Sequence, residues 1–129
     1  DNCMKKKIIA IALVGIMTVS NFVPAFASRN SASISGSTAA FNATGTITID
    51  NVTNESIATA TASVACGMNV TAIFVYNGGT RYSVPASNYA TSCTAIAQKS
   101  GVQAEAGIGQ FTVVKDPYSW SQTKDVNVI

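Results

Sequence analysis

The feature that most constrains this chain is a period of two. Phe41, Ala43, Gly45, Ile47 and Ile49 alternate with Asn42, Thr44, Thr46, Thr48 and Asp50. Successive side chains of an extended strand point to opposite faces, so this segment reads as a half-buried antiparallel strand ending at Asp50-Asn51. Ala58, Ala60, Ala62, Val64 and Cys66 then alternate with Thr59, Thr61 and Ser63. Alanine favours helix, but the interleaved Thr and Ser favour a strand whose buried face is lined by small side chains.

The pattern continues along the chain. After a turn expected at Gly67-Met68, Val70, Ala72, Phe74 and Tyr76 oppose Thr71, Ile73 and Val75, the mark of the most buried strand. Asn77-Gly78-Gly79 supplies the positive φ angles of a tight hairpin. A return strand starts at Tyr82 and Val84, and Pro85 is expected to stop it. A further strand carries Tyr89, Thr91, Cys93, Ala95 and Ala97 on one face. Val102, Ala104, Ala106 and Ile108 form another, with a bulge expected at residues 107–109 so that Phe111 and Val113 continue it. Residues 28–35 read as a loose start running into a first strand, and residues 118–129 as a last edge strand. The sum is six to eight short strands and no helix after residue 27. The expected fold is all-β, a small antiparallel β-sandwich, Ig-like or jelly-roll-like, preceded by a helical signal peptide.

That leader is legible in residues 1–27. Lys5, Lys6 and Lys7 precede an apolar run over residues 8–19, and Pro24 breaks the helix ahead of Ala25-Phe26-Ala27. This is the three-part pattern of a Sec-type signal peptide cleaved after Ala27. The run is about a dozen residues, short of the about twenty needed to span a bilayer. The three residues ahead of Met4 read as upstream read-through. The expected organisation is therefore a leader over 1–27 and one β-sandwich domain over 28–129, secreted by a Gram-positive bacterium and touching membrane only through the leader.

The formal net charge of +2 comes from the same leader. Lys5, Lys6 and Lys7 are set against Asp1, so residues 28–129 carry five positive and five negative side chains. A neutral domain gives no footprint for nucleic acid. The chain has no histidine, which removes Ser-His-Asp and Cys-His catalysis and the commonest transition-metal ligand. Asp50, Glu55, Glu105, Asp116 and Asp125 read as solvated turn and strand-face charges. No phosphate loop, calcium loop or dinucleotide fingerprint is present. We expect no enzyme activity, no cofactor and no metal.

Two cysteines remain after the leader, Cys66 and Cys93. In an oxidising compartment the natural pairing is a disulfide closing a loop of about 28 residues, worth roughly 3.5 kcal/mol in the chain-entropy treatment. Two buried thiols are the alternative. Tyr76, Tyr82, Tyr118 and Trp120 are the candidate binding aromatics, since rings on a sheet face stack on sugars or anchor interfaces. Trp120 reads rather as a plug filling an alanine-rich core, and Tyr76, Tyr82 and Tyr89 as an exposed ridge around the hairpin.

The Ser/Ala/Thr-alternating strands, the leader and the tail Tyr118-Ser119-Trp120-Ser121 resemble the small secreted β-proteins of Clostridium-like Gram-positive bacteria. The style is similar to the lactococcin nine-seven-two class of bacteriocins. The resemblance implies an exported small β-sandwich and assigns no functional residue. The expected function is a non-catalytic secreted or cell-surface interaction module whose partner is a protein or glycan. The alternative is a small secreted antibacterial protein, as the resemblance implies.

Overall fold

The computed structural model describes residues 29–129, so the expected leader helix and its cleavage site lie outside the described residues. Six strands follow in order: β1 (Arg29–Ser37), β2 (Asn42–Asp50), β3 (Glu55–Tyr76), β4 (Thr80–Gln98), β5 (Ala104–Lys115) and β6 (Tyr118–Asn127). The described residues contain no helix. All pairings are antiparallel, and the strands form one sheet in the order β1-β2-β3-β5-β6, with β4 on β3.

β3 organises everything else. At 22 residues it would measure about 73 Å if straight, roughly twice the diameter of a domain of 100 residues. It bends instead. The register with β4 passes from Thr61↔Ser92 to Cys66↔Ala90, so residues 62–65 are looped out as a wide irregularity. Before the bend β3 pairs with β2, from Ala62↔Ala43 to Glu55↔Asp50. After the bend it pairs with β5, from Gly67↔Val114 to Tyr76↔Ala104. The long β3–β4 hairpin thus folds back on itself and carries one half-sheet on each arm.

The loop between β4 and β5 ties the two arms together. Lys99 N–H donates to the Asn54 carbonyl and Asn54 Nδ2 to the Val102 carbonyl, while Asn77 N–H donates to the Gln103 carbonyl and Gln103 N–H to Asn77 Oδ1. Asn54 and Asn77 begin and end the β3 arm, and both adopt positive φ. At the far edges, Asn30 Nδ2 of β1 donates to the carbonyl of Asn127, the last residue of β6, at 2.9 Å. The sheet is nearly closed into a barrel.

Inside lie Phe41, Ile47, Ile49, Met68, Val70, Phe74, Phe111, Val113 and Trp120 with a floor of buried alanines. Two large rings need room that only glycine gives. A Cβ at Gly45 of β2 would sit 2.4 Å from the Phe111 ring, and one at Gly36 of β1 would sit 2.4 Å from Trp120 Nε1. Phe111 and Trp120 stack on each other with centroids 6.5 Å apart. The halves therefore approach closely because small residues on β1 and β2 face large ones on β5 and β6.

The all-β, antiparallel expectation holds, with the described strands in one sheet folded so that β3 belongs to both halves. Several other expectations are corrected here. Gly67-Met68 does not turn the chain, since the strand keeps bonding to β4 and β5 on either side. Pro85 lies within β4 opposite Thr71. Among the described strands β4 pairs with β3 alone, so a missing N–H can face the open edge. The β5 irregularity falls at Glu105, between Val75↔Ala106 and Tyr76↔Ala104, and it turns Gly107 and Gly109 inward.

The expected Cys66–Cys93 disulfide is absent, although both side chains are buried. Cys66 pairs with Ala90, and Cys93 lies three residues farther along β4. That offset is about 10 Å along a strand, beyond the Cα separation of about 7 Å that a disulfide tolerates. The Cys66 thiol donates instead to the Val64 carbonyl at 3.3 Å.

Candidate binding trough

The outward residues of the β4–β3–β5–β6 half form rows running across the strands. Ser87, Asn69, Thr112 and Ser121 make one row. Pro85, Thr71, Gln110 and Thr123 make the next. Pro85 apart, both rows are polar, and the chain neighbours of each β3, β5 and β6 member point inward. Their β3, β5 and β6 members, Asn69, Thr71, Gln110, Thr112, Ser121 and Thr123, line an open trough of about 620 Å³. The flanking rows on the same face are Ser83, Ile73, Ile108 and Asp125 on one side, and Tyr89, Gly67, Val114 and Ser119 on the other.

The polar groups are partly committed. Ser87 Oγ donates to Asn69 Oδ1 at 2.6 Å, and the Thr112 and Ser121 hydroxyls share a bond of 3.0 Å. Among the described residues, no hydrogen bond engages the side chains of Thr71, Gln110 or Thr123. None of the residues in the two rows is charged. These two rows can therefore donate and accept many neutral hydrogen bonds, while the exposed carboxylate of Asp125 stands in the next row.

The other half-sheet makes a useful contrast. Its outer face is a ladder of hydroxyls bonded across the strands, Ser31 with Thr48, Ser33 with Thr46, Ser35 with Thr44 and Thr59 with Thr94, at 2.7–3.0 Å. These bonds stabilise the strand pairing, although Thr61 and Ser92, opposite each other on the same face, share none.

The candidate aromatics do not converge. Trp120 is 9% exposed and lies in the core, so it lines no surface. Tyr76 is half-buried and stacks on Phe74 with centroids 5.4 Å apart. Tyr82 is exposed at the hairpin end, with Lys99 Nζ 4.9 Å from its ring centre. Tyr118 is exposed at the start of β6 opposite Lys115. The expected ridge of Tyr76, Tyr82 and Tyr89 does not form. Tyr76 and Tyr82 share the face of Phe74, whereas Tyr89 points out on the trough side and is 65% exposed.

Two carboxylates also depart from expectation. Asp50 and Glu55 face each other across the β2–β3 turn and are only 2% and 8% exposed. Asp50 Oδ1 accepts from the Val52 and Thr53 N–H groups, and Glu55 Oε1 accepts from the Thr53 hydroxyl. Their work is to hold the turn. Glu105 accepts from the Gly78 N–H and so braces the hairpin tip. Among the described residues no group of three or more His, Cys, Asp or Glu is placed to hold a metal ion.

The trough residues Asn69, Thr71, Gln110, Thr112, Ser121 and Thr123 were not singled out by the sequence. Polar alternation was the available signal, but which polar residues share a face depends on register. No family model matches the chain, and no curated protein or solved structure matches it.

Proposed function

We propose that this protein is a secreted, non-catalytic interaction module that binds a glycan at a cell surface through the trough on the β4–β3–β5–β6 face. One observation carries the reading. Thr71, Gln110 and Thr123, from three adjacent strands, point from one face with uncommitted side-chain hydrogen-bonding groups. A sugar is the ligand class whose surface is chiefly neutral hydroxyls, and an aromatic wall such as Tyr89 suits its apolar ring faces. A protein partner would favour an interface centre of buried apolar and aromatic anchors, which the two rows lack. The two arms of the folded sheet serve as a sandwich-like scaffold that holds the rows in place. Export follows from the cationic, apolar and Ala25-Phe26-Ala27 sequence of the leader.

Binding of the purified protein to a broad glycan array tests the reading. Retention on a subset of glycans is expected, together with its loss in Gln110→Ala at unchanged melting temperature. Absence of binding to every glycan, or full binding by Gln110→Ala, overturns it.

A further inference from the structure

We infer that Asn77 is a self-modifying site, at which the folded protein converts its own side-chain amide to a carboxylate through a cyclic imide closed by the Gly78 nitrogen. Asn77 is the one asparagine of the chain that is followed by glycine. The nucleophilic nitrogen and the acyl carbon belong to adjacent residues, so ring closure needs only rotation about bonds of Asn77, and glycine puts no side chain in the way. Asn77, Gly78 and Gly79 are exposed at the tip of the β3–β4 hairpin, outside the trough. A Cβ at either glycine would meet nothing within 4 Å, so an imide formed there is open to water.

The fold adds the two groups that ring closure needs. Gly78 N–H donates to Glu105 Oε2, which sets a general base on the proton that the nitrogen must lose. Asn77 Oδ1 accepts from the Gln103 N–H at 2.8 Å, which sets a donor on the oxygen where negative charge develops as the nitrogen attacks. A second bond, from Asn77 N–H to the Gln103 carbonyl at 3.0 Å, fixes that donor against the tip. Glu105 owes its aim to the irregularity in β5. Val75 pairs with Ala106 and Tyr76 with Ala104, so Glu105 is the extra residue of a bulge, a device that redirects a side chain. Its own carbonyl accepts from the Val128 N–H at 2.9 Å, which anchors the bulge.

In the first step the bond between Gly78 N and Asn77 Cγ forms and the Cγ–Nδ2 bond breaks. The Gly78 proton passes to Glu105 and on to the departing nitrogen, which leaves as ammonia. In the second step water opens the imide at one of its two carbonyls, leaving aspartate or isoaspartate at position 77. Residues 28–129, with five charges of each sign, thereby gain one negative charge. Asn54 lacks this arrangement. It is the other asparagine with positive φ among the described residues, yet Glu55 follows it, and its Nδ2, the nitrogen that would leave, is held by the Val102 carbonyl at 3.1 Å.

Incubation of the purified, folded protein at neutral pH and body temperature, read by ion exchange and by peptide mapping with detection of isoaspartate, tests the inference. An acidic form should accumulate whose altered residue maps to position 77, and the same chain unfolded in urea should convert more slowly. Glu105→Gln keeps an acceptor for the Gly78 N–H but removes the base, so it should melt as wild type does and convert at least about tenfold more slowly. The comparison with the unfolded chain needs no variant and decides the matter whether or not Glu105→Gln folds as wild type. Conversion of a normally folded Glu105→Gln at the wild-type rate, faster conversion in urea than in the folded state, first conversion at another asparagine, or no acidic form at all overturns the inference.

Discussion

Substituting Gly45 by alanine adds one methyl group at the tightest point of the core. That Cβ would lie 2.4–2.6 Å from three atoms of the Phe111 ring, distances that real Cβ atoms essentially never show. The ring has nowhere to go. A Cβ at Gly109 would meet Phe111 Cζ at 2.5 Å on another side, and Trp120 stacks 6.5 Å away. Overpacking a tight core costs about 1–3 kcal/mol, and the closed surroundings place this site at the upper end. Replacing a strand glycine returns about 0.5–1 kcal/mol through the unfolded chain, since φ at Gly45 is not positive. The net expectation is a loss of about 2 kcal/mol, or about 10 °C in Tm for a domain near 100 residues. Urea unfolding followed by the fluorescence of Trp120, the one tryptophan of the chain, reads this directly. Phe111→Leu in the same chain should make Gly45→Ala nearly neutral, a coupling of 1 kcal/mol or more in a double-mutant cycle. Stability of Gly45→Ala at or above wild type, or additivity with Phe111→Leu, would refute the packing argument.

Trp120→Ala should cost roughly 3 kcal/mol or more, because the neighbouring Gly36 and alanines are too small to collapse into the cavity; a denaturation midpoint within error of wild type would show the ring to be dispensable. Dithiothreitol should leave Tm unchanged, whereas a reductant-induced drop of several degrees would mean that a disulfide forms after all. Asp50→Ala should destabilise by about 1–3 kcal/mol by orphaning the Val52 and Thr53 N–H groups, and Asp50→Asn by less because it keeps an acceptor. Comparing the three thermal melts checks the order.

The strands were readable where one face is apolar and the other hydroxylic, as in β2, and the Asn77-Gly78-Gly79 turn was readable from its need for positive φ. The length of β3 was not. Gly67-Met68 has the composition of a turn, yet Gly67 sits mid-strand with pairing partners on both edges, Tyr89 and Val114. Whether a glycine ends a strand or opens a gap on its surface depends on neighbours distant in sequence. The same holds for the cysteines, whose three-residue offset across the hairpin exists only once the bulge at residues 62–65 sets the register. Pro85 misled for the opposite reason, since its consequence depends on whether a second strand lies beyond it, and none of the described strands does.

The trough was invisible for a reason that also bears on how such a protein can work. In this fold the shape-critical contacts are inside and few, with Phe111 seated against Gly45 and Gly109, and Trp120 against Gly36. The side chains of the outward rows of β3, β5 and β6 point away from that packing, although Phe111 reaches the trough between them. An exposed Thr or Gln on a strand contributes mainly backbone propensity and cross-strand pairing, each worth a fraction of a kcal/mol. Position by position, a binding face made of such residues looks like any solvated strand. Within it Thr71, Gln110 and Thr123 keep side chains outside the hydrogen bonds of the described residues, whereas most hydroxyls of the other half-sheet are bonded in pairs. On the proposed reading, stability and recognition rest on opposite faces of the same strands, and ligand preference can change through the outer residues while the glycine-aromatic packing beneath them stays fixed.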